Sequence, residues 1–596
     1  MAAAAHETTS LTVAVSRWLG DLQVAVDADD PQLFAELVDP DGWWRDLLAV
    51  GWDFRTVQGA GRISREIGPL LAAAGARGFA LTTRTPPALS EDARGELLSA
   101  FFEFETAVGS ARGLVRLTAT GDPARPWRAW TVLTQLDSLR GFEEGIGANR
   151  PMGARHGEWV GRLYWGDRQR DRIELPGDET DVLVIGAGQA GLMLAARLDQ
   201  LGVGNLVVDR HERIGDGWRH RYPSLHLHDI IGMNHFAYMD LPRNWPICLS
   251  RDQFANFVEC YATLMGLSVW TSTTVERCEY ADGVWTTALR RGDGTPRTIR
   301  SRHVVLATGR SGAPASPEFP GRQAFHGEVL HSADYRGGRA YRGKRVTVVG
   351  AGNSAHDVVQ DLYEQGAQVT LVQRSSTYVV RHATLRKHVL GLWEDGGPPL
   401  DDADMMAVST PMGLIPVLGK TTTAAMAEED RDLLDGLTAH GFAVDLGPDD
   451  AGMTWKSLNN LHGYYIDVGA SQIIADGKID VRHGSGVARY TPHGLVLEDG
   501  REIGADAVVL ATGYHSFESS VEALMGRGVL ARCRAPIHGV GADGEPGTLW
   551  RESGHPGLWF AGGGIPVARA YSKFLALRIK AEQEGLVPGA EPASAV

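Results

Sequence analysis

Two short stretches built to one pattern constrain this 596-residue chain more than any other feature. "VLVIGAGQAGLMLAARL" (182–198) and "VTVVGAGNSAHDVVQDL" (from Val346) each pass from an apolar strand pattern through a glycine turn into a helical pattern. A lone Gly-x-Gly-x-x-Gly is a weak signal in a chain with 73 glycines, so its flanks decide. In the first copy "DVLVIG" reads as a buried strand and Gly186, Gly188 and Gly191 follow it. "NLVVDRHE" then supplies a second strand ending in Asp209, 18 residues past Gly191. This is the spacing of a βαβ dinucleotide unit. The first glycine turns the chain, the second admits a pyrophosphate to the backbone and the third lets helix approach strand. The helix N-terminus favours the anion, and the acid accepts hydrogen bonds from ribose hydroxyls. A purely structural βαβ unit is the competing reading.

The second copy differs where it matters chemically. Gly350 and Gly352 are kept, Asn353 and Ser354 open the helix, and Ala355 stands in the third glycine's place. Its second strand, "VTLVQRSS", ends not in an acid but in Arg374 and Ser375. An acid there repels a 2′-phosphate, whereas a guanidinium binds it by charge-assisted hydrogen bonds. The first loop therefore suits FAD or NAD and the second suits NADPH, with NADH a tolerated alternative; an arginine that merely caps the strand is the rival explanation. "RHVVLATGR" and "DAVVLATGY" each place a strand before Ala-Thr-Gly, so Thr308, Gly309, Thr512 and Gly513 are expected beside the nucleotides. "HPGLWFAGGG" is expected to carry Gly562 toward a flavin ring, and Trp218 of "GDGWRHRYPS" to lie on the cofactor side.

A chain of this length needs several cores. Residues 1–142 pass from helical patterns to alternating strands and predict an α+β domain; 143–180 predict a connector without regular period. The rest predicts an α/β fold of two Rossmann-like domains, the second inserted in the first. The FAD-binding domain begins at 181–335, an NADPH-binding domain with a helical insertion occupies 336–500, and the FAD-binding domain resumes at 501–596 with the C-terminal tail. The net charge of -15 argues against general nucleic-acid binding. Four scattered cysteines without a Cys-x-x-Cys pair argue against a metal finger or thiol redox pair and for a reducing, cytoplasmic setting. No signal-peptide pattern and no apolar run of about 18 residues is present, so a membrane span is not expected.

From about Asp181 to Leu586 the chain resembles the flavin-containing monooxygenases, the family that includes the plant YUCCA enzymes. "FHGEVLHSADY" carries the most specific match: Phe325, Gly327, His331 and Tyr335 fit the family's Phe-x-Gly-x-x-x-His-x-x-x-Tyr/Phe signature. "EFPG", "GDGWRHRYPSLHLHD", "FAYMDLPRNWP" and "LHGYYIDVGASQIIADGKI" add to it. Residues 1–142 lie outside the family core and look similar to the cone fold of nuclear transport factor 2 and the polyketide cyclases. Long variants of the class carry such an extension. The aromatics Trp43, Trp44, Trp52 and Phe54 either line a pocket there or, more in keeping with their places, form core.

The resemblance implies that NADPH reduces FAD, that reduced flavin takes up O2 as a hydroperoxide, and that one oxygen atom passes to a small-molecule substrate. No metal and no nucleophilic triad is needed. It makes His228, Asp229 and Asn234 candidate flavin-side catalytic groups. It also nominates His331 and Tyr335, for which coupling of the two domains is an equal reading. Arg569, Tyr571 and Lys573 are candidate contacts on the last helix. The ketone-oxidising Baeyer–Villiger branch usually ends the signature in Trp, so Tyr335 favours N- or S-oxygenation. Baeyer–Villiger oxidation or YUCCA-like decarboxylation of a 2-oxo acid are alternatives within the family. An NADPH oxidase and a non-catalytic redox sensor are alternatives outside it. A homodimer is the expected assembly if the chain is not a monomer.

Overall fold

Val182, Leu183 and Val184 carry apolar side chains on both faces of a strand, a pattern that demands cover on both sides. In the computed structural model, which describes residues 2–588 apart from 93, 124, 154–160, 310–312 and 461, all three are fully buried. Their strand, Glu179–Ile185, pairs in parallel with Asn205–Val208 on one side and Pro296–Leu306 on the other, and helix Gln189–Gln200 connects the first two. Val269–Trp270 and the late strand Leu558–Phe560 extend the sheet in parallel. Thr273–Ala281 and Val284–Arg291 close it as an antiparallel flap.

A second sheet is wholly parallel, in the order Glu328–His331, Ala507–Leu510, Arg345–Val349, Gln368–Gln373, Asp480–His483, with helix Asn353–Glu364 after its central strand. This corrects two expected boundaries. Glu328–His331 and Ala507–Leu510, assigned from sequence to the first unit, belong to the second. An apolar strand leading to Ala-Thr-Gly reads the same in either unit; only its pairing assigns it. The chain returns to the first sheet at Leu558–Phe560, so the second unit is inserted in the first. The insertion is helical, comprising His382–His388, Leu400–Val408, Ile415–Glu429, Arg431–Ala439 and Gly452–Asn460, and is bracketed by the parallel strands Thr377–Arg381 and Tyr464–Asp467.

The N-terminal unit is a seven-stranded sheet. Its long antiparallel strands Gly95–Glu105, Gly109–Ala119 and Trp127–Leu139 are joined by Val38–Leu47, which runs parallel to the last. Alternation along the strands gives it two apolar faces. Leu98, Phe102, Val115 and Val132 pack under helix Ala2–Asp27 with Trp18 and Leu22, while Phe101, Leu114 and Leu133 join the core of the first dinucleotide unit. Trp44 is core and Trp43 and Trp52 are half-buried. Phe54 is a seam residue, 5.3 Å from Tyr571 and 5.9 Å from Phe574 on the last helix, Ile565–Gln583.

Charge fixes the same seam. Arg45, fully buried, donates to Glu545 from Nε at 3.0 Å and to the Tyr571 hydroxyl at 3.1 Å, and it also reaches the Val408 carbonyl. Burial works against its charge, but Glu545 more than restores it and the pKa is raised. Arg551 similarly spans Asp53 (2.9 Å) and Asp543 (2.7 Å). Between the units the expected connector contains a helix, Trp165–Glu174, whose "WGDRQRDRIE" has too few apolar residues to show a period. Residues 154–160 of the connector and the tail past 588 lie outside the described residues.

Candidate active site

Both glycine turns are pressed against an Ala-Thr-Gly strand end. Gly186 has φ of 118°, and a Cβ there would stand 2.3 Å from the Ala307 carbonyl; Gly350 has φ of 121° and the same 2.3 Å approach to Ala511. Only glycine fits either place. The two helices start at Gly188 and Gly352 with no side-chain cap, leaving first-turn N–H groups for an anion, and the space over Gly188 is open. Gly191 packs helix to turn, as does the buried Ala355 in the second copy.

Asp209 follows the second strand as expected. Its Oδ2 accepts from the Ala187 N–H at 2.7 Å, and its Oδ1 accepts from the His211 N–H at 2.8 Å and lies 2.8 Å from that ring's Nδ1. Burial pushes this carboxyl up, but the hydrogen bonds from His211 and Ala187 outweigh it and hold the pKa below the usual range. Trp218 stands edge-on to Phe254 at 4.9 Å, and Thr308 and Gly309 follow the end of strand Pro296–Leu306. Gly562 is buried, its carbonyl held by the Trp550 indole at 2.8 Å.

At the second loop Arg374 and Ser375 are exposed, and Arg374 has no ion pair among the described residues. Asn353 is occupied, its Oδ1 accepting from the Ile466 N–H at 3.1 Å. Thr512 donates to the Ala315 carbonyl at 2.6 Å, and the Gly513 carbonyl lies 3.0 Å from His331 Nε2. Ser354 is met by a residue that no sequence motif singles out. Arg221, from the first unit, reaches Ser354 Oγ at 3.4 Å and lies 5.3 Å over the Tyr514 ring. Its Nε and the Tyr514 hydroxyl are buried without partners. In "GWRHRYPS" it is one of three arginine or histidine side chains before Tyr222, and nothing local distinguishes it from the other two.

His228, Asp229 and Asn234 lie on one segment of the first unit that packs against the second unit's helix. His228 Nε2 is 3.7 Å from Asp357 Oδ1, and the Tyr222 hydroxyl donates to Asp357 Oδ2 at 2.7 Å. Burial pulls the His228 pKa down, but Asp357 more than offsets it, so the net shift is upward; burial raises Asp229. Asn234 is fully buried. Its Nδ2 donates to the Asp229 and Ile230 carbonyls, both at 3.1 Å, and its Oδ1 has no partner.

The other two candidates are not brought to that segment. His331 ends a strand of the second sheet, its ring held between the Gly513 carbonyl and the Ala333 N–H. Tyr335 is fully buried, and its hydroxyl donates to Asp361 Oδ2 at 2.7 Å. These bonds fasten the Glu328–His331 strand to its surroundings, in keeping with the domain-coupling reading of both residues. Of the three residues expected on the last helix, Arg569 turns to the segment that carries Asn234, whereas Tyr571 and Lys573 meet Arg45 and Asp137 of the N-terminal unit.

Two dinucleotide cradles, one inserted in the other and joined across a buried polar segment, define a two-nucleotide flavoprotein oxidoreductase. Residues 183–394 match the pyridine nucleotide-disulphide oxidoreductase family model. The chain is 31% identical to rice (Oryza sativa subsp. japonica) indole-3-pyruvate monooxygenase YUCCA1, over 59% of this chain and 79% of that protein. It is 33% identical to the probable indole-3-pyruvate monooxygenase YUCCA7 of Arabidopsis thaliana, over 56% and 74%. In fold it is similar to ε-caprolactone-bound cyclohexanone monooxygenase, with a TM-score of 0.50 and 18% identity over 68% of this chain and 88% of that one. It is also similar to OTEMO in complex with FAD and NADP, with a TM-score of 0.50 and 17% identity over 68% and 86%. The chain belongs to the flavin-containing monooxygenase family and is an oxidoreductase of the class B type. Among the described residues no group of three metal-ligating side chains occurs, and no helix is long and apolar enough to cross a membrane.

Proposed function

We propose that this protein is an NADPH- and FAD-dependent monooxygenase that converts a small substrate, O2, NADPH and a proton to oxygenated product, NADP+ and water. The observation that carries this is the pair of cradles, with buried unpartnered polar atoms on the Asn234 segment and beside the second loop: Asn234 Oδ1, Arg221 Nε and the Tyr514 hydroxyl. Buried polar groups are ordinarily bonded, so orphans at these three places fit absent ligands.

Gly186, Gly188, Gly191 and Asp209 hold FAD in this reading, and Gly350, Gly352, Ser354, Arg374 and Ser375 hold NADPH, with Arg221 reaching across. When bound, the two cofactors supply hydride transfer and oxygen activation. The chain's own work is positional. Asp209 presents an ionised acceptor to the ribose, uncapped helix ends meet the diphosphates, and Arg374 meets the 2′-phosphate. Asn234 offers a dry acceptor, and Asp357 favours a proton on His228 Nε2.

For substrate, N- or S-oxygenation is the first reading, from the Tyr335 ending of the signature. A carbonyl substrate is the second, favoured by the indole-3-pyruvate monooxygenase activity named for the relatives. The purified protein, supplied with NADPH and isotopically labelled O2, is screened against a thioether, a tertiary amine, a ketone and an aryl 2-oxo acid. Label in a sulfoxide or N-oxide supports the first reading; an ester or a decarboxylated acid supports the second. NADPH oxidation with no labelled product from any of the four makes it an oxidase. Failure to take up FAD overturns the proposal.

A further inference from the structure

Arg569 sits on the first turns of the last helix, almost fully buried, and grips the flavin-side segment by its backbone. Nη1 donates to the Met233 carbonyl at 2.9 Å and the His235 carbonyl at 2.7 Å, straddling Asn234. Its other edge is bidentate with Asp404: Nε to Oδ2 and Nη2 to Oδ1, both 2.6 Å. The Trp393 indole donates to Asp404 Oδ1 at 3.0 Å and fixes that carboxylate. The turn has no slack, since a Cβ on Gly232 would stand 2.0 Å from the Trp393 carbonyl.

Asp404 belongs to helix Leu400–Val408, and the N-terminal sheet holds that helix at three other points. Arg112 donates to Asp402 Oδ1 at 2.6 Å, Arg116 reaches the Met406 carbonyl at 3.5 Å, and Arg45 reaches the Val408 carbonyl. Thr85 also donates to Asp402. The seam there is not close-packed. It holds a half-open cleft of about 590 Å³ lined by Arg84, Arg112, Asp404, Arg569 and Lys573 among others. Met405 and Val408 pack the helix into the core that also holds Leu114 and Leu133, and the directed bonds from the arginines add to that packing a fixed position along this side. A bidentate guanidinium defines both distance and plane, which an ammonium does not.

We propose that Arg569 is a positioning residue for Asn234, and that the N-terminal unit sets its place through Arg112, Asp402 and Asp404. This rests on the monooxygenase reading, in which Asn234 faces the flavin. It gives the N-terminal extension a task in the reaction: it holds the group that holds the flavin-side turn. Loosening the chain at any link lets Asn234 move, with loss of product formed per NADPH consumed.

The test uses full-length Arg569→Lys, Asp404→Asn, Asp404→Glu and Arg112→Ala. Readouts are the visible spectrum of bound flavin, the FAD dissociation constant, NADPH KM, and hydrogen peroxide released per NADPH. Arg569→Lys and Asp404→Asn are expected to shift the flavin spectrum and cut product per NADPH roughly ten-fold, a fraction of the about hundred-fold that a 1 Å misplacement far from the chemistry can cost. NADPH KM should stay within about two-fold, the second loop being untouched. Asp404→Glu should recover some of the loss, and Arg112→Ala should act in the same direction with smaller size. A parent protein that binds FAD and oxidises NADPH, with spectrum and peroxide ratio unchanged in both Arg569→Lys and Asp404→Asn, overturns this proposal alone. An effect in those two with none in Arg112→Ala overturns the role assigned to the N-terminal unit. A parent that takes up no FAD overturns the functional reading, and this one with it.

Discussion

Replacing Arg374 by Ala tests nucleotide choice with little disturbance of the fold. The side chain is exposed and has no ion pair among the described residues, so its loss leaves no carboxylate stranded. Stability should change by less than about 0.5 kcal/mol. Hydrogen bonds to charged groups are worth about 1.5–3 kcal/mol. In this exposed position, screened over a Debye length of about 10 Å at 0.1 M salt, the lower figure applies. About 1.5 kcal/mol is roughly a ten-fold rise in NADPH KM. NADH has no 2′-phosphate and should be unaffected, so the ratio of the two kcat/KM values narrows by the same factor. Steady-state kinetics with both nucleotides, at two salt concentrations, reads this directly. The parent's preference should also fade with salt, and the variant's should not. An equal loss for NADPH and NADH would refute the phosphate role and leave an arginine that only caps its strand.

Three further outcomes follow from the buried groups. Burial raises the Asp46 pKa to about 7, against hydrogen bonds from Thr134 and the backbone, whereas an unfolded aspartate titrates near 4. Between those values the folded state keeps a proton that the unfolded state has lost, so this group's stabilising contribution is complete below about pH 4 and falls by roughly 4 kcal/mol by pH 7. Asp46→Asn should therefore gain in Tm relative to the parent as pH rises through that window, and a pH-independent difference would count against it. Arg45→Met strands Glu545, which is fully buried, and should cost about 3–5 kcal/mol, read as a marked fall in Tm or in denaturant midpoint. Tyr335→Phe removes one hydrogen bond to Asp361, which still accepts from the Gly338 N–H at 2.8 Å. It should lower stability by about 1 kcal/mol and leave the ranking of substrates as it was, whereas a switch from heteroatom to ketone oxidation would show that Tyr335 reaches substrate after all.

What could be read in advance was what repeats within a few tens of residues. A buried strand, a glycine turn and a helix are neighbours in sequence and in space, so the pattern 182–209 carries its own geometry, including the place of Asp209 and the need for glycine at Gly186. The same holds for Arg374, which follows its strand directly. His228, Asp229 and Asn234 were legible only through resemblance to the family, and the structure adds what they touch: Asp357 from the inserted unit, backbone carbonyls, and an unpartnered oxygen.

Partner choice across long sequence distances was not legible, because it is set by pairing and packing that no local period records. Ala507–Leu510 looks like a strand of either sheet until it pairs with Arg345–Val349. Tyr335 reads as a signature residue until its hydroxyl is found on Asp361, and Arg221 is one basic side chain among several until it reaches Ser354. The local grammar of strand and turn, which obeys backbone sterics alone, thus determined that this chain builds two dinucleotide cradles. Only the folded packing of three units decided which side chains stand between them, since a buried charge such as Arg569 must find its partner wherever the fold brings one.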